Sequence, residues 1–196
     1  MLKRLFDITA ALIGLIILIP VFIVVAILIK LDSPGPVFFK GKRVGQYGKI
    51  FYILKFRSMV PDAPQKGATI TCKDDPRITR IGGFLRNTKL DELPSLVNVL
   101  KGEMSLVGPR PEAPAWVERY TPQQQVVLTI KPGITGLAQI KYRSEEELLS
   151  KANWETEYFQ IMHDKLNIDL HYVKNRSFIL DIRILLGTVV VLFRPT

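Results

Sequence analysis

Residues 8–29 read ITAALIGLIILIPVFIVVAILI, 22 positions without a charge. A straight helix of that length, rising roughly 1.5 Å per residue, would span the ~30 Å hydrocarbon core of a bilayer. The run is too long for the apolar core of a secretion signal, and no small-x-small cleavage site closes it. Pro20 lies near its middle. There it removes one helical hydrogen bond, to the carbonyl of Ile16, and kinks the helix. Each half is then under about 18 Å long, too short to cross alone. Cations flank both ends: Lys3 and Arg4 before, and Lys30, Lys40, Lys42 and Arg43 after. Lysine and arginine favour the cytoplasmic side, so both ends want the same side. A kinked spanning helix and a re-entrant hairpin both accommodate the proline, and the charges favour the hairpin. Residues 1–32 are therefore read as a membrane element and residues 33–196 as one further domain.

The composition bears on what that domain meets. The chain has 196 residues, a net charge of +9 and 47% hydrophobic residues. A basic balance points to nucleic acid, phosphate-bearing substrates or an anionic membrane surface. A nucleic-acid reader would interleave aromatics with a basic stripe or show a known module, and neither is present. The single cysteine, Cys72, excludes an intramolecular disulfide and suits a reducing compartment. His163 and His171 lack metal-ligand spacing and read as ordinary, partly packed residues.

Beyond the rigid break Ser33-Pro34-Gly35-Pro36, Val37–Val44 and Ile50–Phe56 read as a short β-hairpin around the turn Gly45–Gly48. The turn sequence lacks the GxxxxGK[ST] spacing of a phosphate loop. Lys55 and Arg57, in KFRSM, are expected to aim cations at a phosphate. Val60–Pro76 reads as a loop. Arg77–Arg86 reads as a helix weakened by Gly82-Gly83, with Ile78, Ile81, Phe84 and Leu85 on one side. Ala113–Thr129 reads as helical with a fresh start after Thr121, and Lys131–Ile140 as turn-rich and then strand-like. Glu145–His163 reads as an amphipathic helix. Ile168–Phe193 is the last helical region, its apolar tail from Ile184 expected at the bilayer interface. The class is α+β, mainly helical.

Arg86 to Pro111, RNTKLDELPSLVNVLKGEMSLVGPRP, carries the chemistry. Two adjacent acids, Asp91 and Glu92, precede Pro94 and a run, Leu93–Leu100, that is apolar at helical spacing. This reads as a short helix starting at the acid pair, with the Gly108–Pro111 turn folding Arg110 back beside it. Pro94 fits a first turn, where a missing N–H costs nothing. The helix dipole is expected to keep a carboxylate there ionised. From spacing alone a plain surface cap is the favoured reading of the acids. Glycosidase chemistry needs two acids about 5 Å or more apart, and adjacent residues point in different directions. Metal-assisted phosphoryl transfer fits better. One carboxylate holds Mg²⁺ against a diphosphate, the other attacks phosphorus, and arginines clamp the oxygens.

These segments resemble a known family. KRLFD at 3–7, SPGPVFFK at 33–40, R-x-G-x-x-G-K at 43–49, KFRSM at 55–59 and DPRITRIGGFLR at 75–86 are similar to small monotopic phosphoglycosyl transferases of the bacterial sugar transferase family. So are LDELPSLVNVLKGEMSLVGPRP at 90–111, KPGITGLAQI at 131–140, D-L-x-Y-V at 169–173 and LDIRI at 180–184. The resemblance implies a cytosolic, membrane-associated domain over 33–196 and a ping-pong reaction. Asp91 would attack the β-phosphate of a UDP-sugar and release UMP, and polyprenyl (undecaprenyl) phosphate would then take the sugar phosphate. Glu92 is implied as the Mg²⁺ ligand, Arg86, Arg110 and Arg143 as phosphate or nucleotide binders, and Asp169 as a further acidic site residue. Also implied are a hairpin kinked at Pro20 in the cytoplasmic leaflet of a bacterial inner membrane, and downstream glycosyltransferases as partners in glycoconjugate or polysaccharide assembly. The resemblance further implies a minimal catalytic form without the extra N-terminal membrane bundle of larger relatives. Ile19, Leu137 and Lys141-Tyr142-Arg143 depart from the residues usual in the family. The competing class is a non-catalytic basic protein of the membrane surface that binds anionic lipid or a partner.

Overall fold

A computed structural model describes residues 2–63, 70–72, 74–149 and 153–192. Two helices open the chain, α1 (Leu2–Ile17) and α2 (Ile19–Asp32), bent by 60° at the break between them. At roughly 24 and 21 Å neither reaches across a hydrocarbon core of about 30 Å. No single described helix is long and apolar enough to cross a membrane. Pro20 sits in the first turn of α2, so its missing N–H falls at the bend. The bend exposes Ile13, Ile16, Ile17, Ile19 and Ile23.

Both ends of this pair are fastened to the rest of the chain. Lys3 Nζ donates to Asp181 Oδ2 at 2.7 Å and to the Val107 carbonyl at 3.1 Å. Arg4 Nη1 donates to the Val99 carbonyl at 2.7 Å, and buried Asp7 accepts from Ser105 Oγ at 2.8 Å and Leu106 N at 3.1 Å. At the other end Val25 and Ile29 of α2 pack on Phe56 and Leu85.

Next come β1 (Phe38–Val44) and β2 (Ile50–Phe56), an antiparallel hairpin with Lys42 opposite Tyr52 and Phe39 opposite Lys55. Strand alternation places Phe51, Ile53 and Lys55 on one face. Phe51 and Ile53 enter a core with Ala11 of α1, Val99 and Met104, and Lys55 continues that face toward the acid pair. The free edge of β2 is covered by one side chain. Buried Asn98 accepts from Leu54 N at 2.9 Å and donates to the Tyr52 carbonyl at 2.8 Å.

The helix expected over Arg77–Arg86 is α3, Arg80–Asn87. Thr79 sets its start, its hydroxyl accepting from Gly82 N at 3.0 Å, while Ile78 pairs with Met59 in a β-bridge. Leu85 is buried but Phe84 is 55% exposed, so the apolar side is narrower than the spacing suggested. Gly82 has a packing role: a Cβ there would lie 1.9 Å from the Ser58 carbonyl oxygen.

After the acid pair come α4 (Leu96–Lys101), β3 (Ser105–Val107), α5 (Pro114–Val117), β4 (Gly133–Thr135), α6 (Leu137–Lys141), α7 (Trp154–Asn175) and α8 (Phe178–Leu192). β3 and β4 form a parallel pair, with Val107 beside Thr135. Four expectations are corrected. Ala113–Thr129 holds only short α5 and a 3-10 turn at Gln124–Thr129. The strand-like end of Lys131–Ile140 is α6. The amphipathic helix begins at Trp154, after a 3-10 turn at Glu145–Leu148, and runs on to Asn175. The last helical region is therefore two helices that part at Arg176-Ser177. Phe193 lies outside the described residues, as do positions 64–69 and 73 of the predicted loop.

Candidate functional site

The acid pair lies on a 3-10 turn, Leu90–Ser95, that leads into α4. Pro94 is inside this turn, and Ser95 Oγ donates to the Glu92 carbonyl at 2.5 Å. The bend that aims the turn is made at Lys89, whose φ of 58° is left-handed, a region non-glycine residues seldom adopt.

Two elements converge on Glu92. Lys55 of β2 donates to its Oε1 at 2.6 Å, and Arg110 donates to the same oxygen through Nη2 at 3.2 Å and Nη1 at 3.3 Å. Lys55 also lies 4.0 Å from Asp91 Oδ2. Arg110 is carried by the Gly108–Pro111 turn, which is clamped against β4. Gly108 N donates to the Thr135 carbonyl at 2.9 Å, and Gly133 N donates to the Pro109 carbonyl at 2.8 Å. The approach is so close that a Cβ on Gly133 would lie 2.1 Å from Gly108 N.

The two acids are shifted in opposite directions. Burial works against ionised Glu92, but Lys55, Arg110 and Lys89 together outweigh it and hold its carboxyl well below the usual range. Asp91 goes the other way. Burial lifts its pKa, the Glu92 charge adds to the lift, and Lys55 and Arg86 only partly offset it. This direction runs against the pull expected from the helix start, because burial is the largest contribution. Asp91 Oδ1 is buried with no hydrogen-bond partner.

Behind Arg110 is a second charged cluster. Lys165, buried on α7, donates to Glu112 Oε1 at 3.3 Å and to Glu145 Oε2 at 3.1 Å, and Tyr158 OH donates to Glu112 Oε2 at 3.0 Å. Burial opposes the Glu112 charge, yet Lys165, Arg110 and Arg43 pull its pKa down. Asp169, one turn beyond Lys165, is hydrogen-bonded to the Arg110 backbone, and burial pushes it up to about 7.

Two cavities adjoin the acids. The larger, about 430 Å³, is bordered by Asp91, Lys55, Arg86, Arg110 and Lys165. The smaller, about 240 Å³, is bordered at one end by Glu92, Lys89 and Arg110 and elsewhere mainly by apolar side chains. An enclosed diphosphate beside Asp91 would meet several cations and one carboxylate with an unsatisfied oxygen. Among the described residues no three His, Cys, Asp or Glu side chains form a ready metal cage.

The structure thus brings Lys55, Asp91, Glu92 and Arg110 together, with Arg86 on the cavity wall held by Glu146. Arg143 is beside the smaller cavity and donates to the carbonyls of Val191 and Leu192 at the end of α8. Arg57 also borders the larger cavity. Its guanidinium donates to the Ser33 carbonyl at 2.7 Å, the Ile29 carbonyl at 3.4 Å and the Pro34 carbonyl, closing the end of α2. Lys89, Glu112, Lys165 and Glu146 were not anticipated. A signal for Lys165 existed: with Asp169 it interrupts the buried stripe Tyr158, Met162, Leu166 and Tyr172 of α7.

A family model for bacterial sugar transferases matches residues 1–195. An exopolysaccharide production protein of Rhizobium leguminosarum bv. phaseoli is 45% identical over 96% of this chain and 94% of its own length. A UDP-glucose:undecaprenyl-phosphate glucose-1-phosphate transferase of Escherichia coli K12 is 42% identical over 96% of this chain, which spans 39% of that protein. A Bacillus subtilis protein named as a putative undecaprenyl-phosphate N-acetylgalactosaminyl 1-phosphate transferase is 47% identical over 74% of this chain and 79% of its own.

Proposed function

The chain belongs to the bacterial sugar transferase family, and from that premise we propose that it is a phosphoglycosyl transferase moving a sugar 1-phosphate from a UDP-sugar to polyprenyl phosphate. One observation carries the reading. A buried carboxylate with a free oxygen, Asp91, borders a cavity whose cations, Lys55, Arg86 and Arg110, match a diphosphate.

In the first step an Asp91 carboxylate oxygen attacks the β-phosphorus. The bond to the bridging oxygen breaks, and UMP leaves with that electron pair. In the second, a phosphate oxygen of the lipid attacks the same phosphorus, the bond to Asp91 breaks, and the carboxylate is restored with polyprenyl diphosphate-sugar as product. Lys55 and Arg110 neutralise the oxygens that gain charge as each bond breaks. The lifted pKa of Asp91 makes it a poorly solvated anion once ionised, and the cations that arrive with the donor favour that form.

Mg²⁺ fits this donor set. The ion takes one or two carboxylates and completes its shell from phosphate oxygens and water, so Glu92, with Asp91 beside it, suffices without a protein cage. When bound it would offset the diphosphate charge. The bent α1–α2 pair supports a re-entrant anchor, because both its ends are tied to the catalytic body and its apolar tip is exposed. On this reading the enzyme works at the cytoplasmic face of a bacterial membrane.

The test incubates the full chain in nanodiscs with a UDP-sugar carrying ³²P at its β-phosphate, without acceptor. Label is expected on the peptide containing Asp91, with one UMP released per label. Adding undecaprenyl phosphate should discharge it into lipid. UMP release with no labelled peptide would exclude the covalent route, and a chain inert to a panel of UDP-sugars would exclude the transfer itself.

A further inference from the structure

The two cavities beside the acid pair differ in kind. The larger is bordered by charged groups along much of its wall. The smaller has a mixed lining: Leu93, Leu96, Ile134 and Ile140 give it an apolar surface beside Lys89 and Arg110, and Arg143, Glu146 and Lys165 line it too. It reaches Val191 and Leu192 in the last turn of α8, a helix that exposes Leu186, Val189 and Val190 to the surroundings. An apolar path therefore runs from an apolar outer surface to the acids.

Lys89 stands at the inner end of that path. Lys55 and Arg110 both donate to Glu92, whereas the Lys89 side chain makes no hydrogen bond or ion pair among the described residues. Its backbone holds the left-handed conformation that places it there.

We infer that the smaller cavity is the acceptor pocket. An isoprenyl phosphate sets its head between Lys89 and Arg110 and its first isoprene units along Leu93, Leu96 and Ile140. The rest of the lipid leaves past Val191. The cations at one side of this cavity suit a phosphate, and Leu93, Leu96, Ile134 and Ile140 offer an attached apolar chain a surface that a bare anion would not use. A lipid phosphate matches both ends. The inference rests on the transfer reading for its biological meaning, but the pocket is testable without donor.

The full chain in phosphatidylcholine nanodiscs is irradiated with a benzophenone-bearing farnesyl phosphate, and the cross-linked peptides are mapped by mass. Label is expected on the 93–96 and 134–140 stretches, competed by farnesyl phosphate and not by inorganic phosphate or phosphatidic acid. Lys89→Met should cut the label roughly tenfold, the loss expected for one charge-assisted contact. Val191→Trp, which fills the mouth and leaves Lys89 in place, should cut it as well. In turnover, Lys89→Met should raise KM for the acceptor by a similar factor and that for the donor by less than about twofold. Label confined to α1 and α2, equal competition by phosphatidic acid, or label within about twofold of the parent in Lys89→Met would overturn the pocket. A parent chain that takes the label but releases no UMP would sink the transfer reading and leave the pocket standing.

Discussion

The acid pair and the cluster behind Arg110 are built alike. In each, one carboxylate is pulled down by cations, Glu92 by Lys55 and Arg110, Glu112 by Lys165 and Arg110. In each, an aspartate is pushed up by burial, Asp91 in one and Asp169 in the other. Each aspartate has a buried oxygen with no partner. The difference is access. Asp91 borders the larger cavity, and Asp169 borders neither of the two. The two clusters thus share their electrostatics but not the exposure of their aspartates, although Lys165, Glu112 and Glu145 of the second also line the larger cavity.

The comparison is broken most directly at the aspartates. Asp91→Asn is expected to lower UMP release at least about 10³-fold, as loss of a covalent nucleophile does. Its thermal midpoint should hold, since a group that resists ionisation is being replaced by a neutral one. Normal turnover in that variant would remove Asp91 from the reaction.

The second cluster should show the opposite profile. Lys165→Met leaves Glu112 and Glu145 without their shared cation, and stability is expected to fall by roughly 3–5 kcal/mol in denaturant titrations. A loss under about 1 kcal/mol would mean that the cluster is solvated in solution.

A finer distinction comes from pH. Asp169 keeps its proton to about pH 7 in the folded chain, against an unfolded value near 4. Between these values the folded state binds more protons, so stability falls as pH rises through that window. Asp169→Asn removes this slope, and its advantage in thermal midpoint over the parent should be larger at about pH 8 than at about pH 4. A constant gap would contradict the raised pKa. The smallest effect belongs to Thr79, which serves neither cluster directly. Thr79→Ala should cost about 1 kcal/mol through the lost cap of α3 and leave the pH profile alone.

What could be read from the chain depended on the range of the interactions involved. The β2 span was legible to the residue, because alternation and turn glycines are local. So were the bend near Pro20 and the meeting of Arg110 with the acid pair, which a short rigid turn enforces. The carbonyl partners of Arg57 were not legible, because a cation in a basic motif looks the same whether or not it also meets the carbonyls of Ser33 and Ile29. The direction of the Asp91 shift was not legible for a related reason. Spacing shows a helix dipole, whereas burial depends on β2, α3 and the Arg110 turn packing together. Lys89 was missed because its distinction is a backbone angle, and Glu112 because Lys165 lies 53 positions away.

The bent helix pair bears on how the protein tolerates its surroundings. A helix that spans a membrane must match its apolar length to two interfaces, and a mismatch tilts it or thins the lipid. A wedge tied at both ends to one body has only one interface to satisfy. With Lys3 held by Asp181, and Ile29 buried against Phe56 and Leu85, the distance from wedge tip to acid pair belongs to the protein and not to the bilayer. On the proposed re-entrant reading, the depth at which a lipid phosphate would meet Asp91 is then independent of membrane thickness.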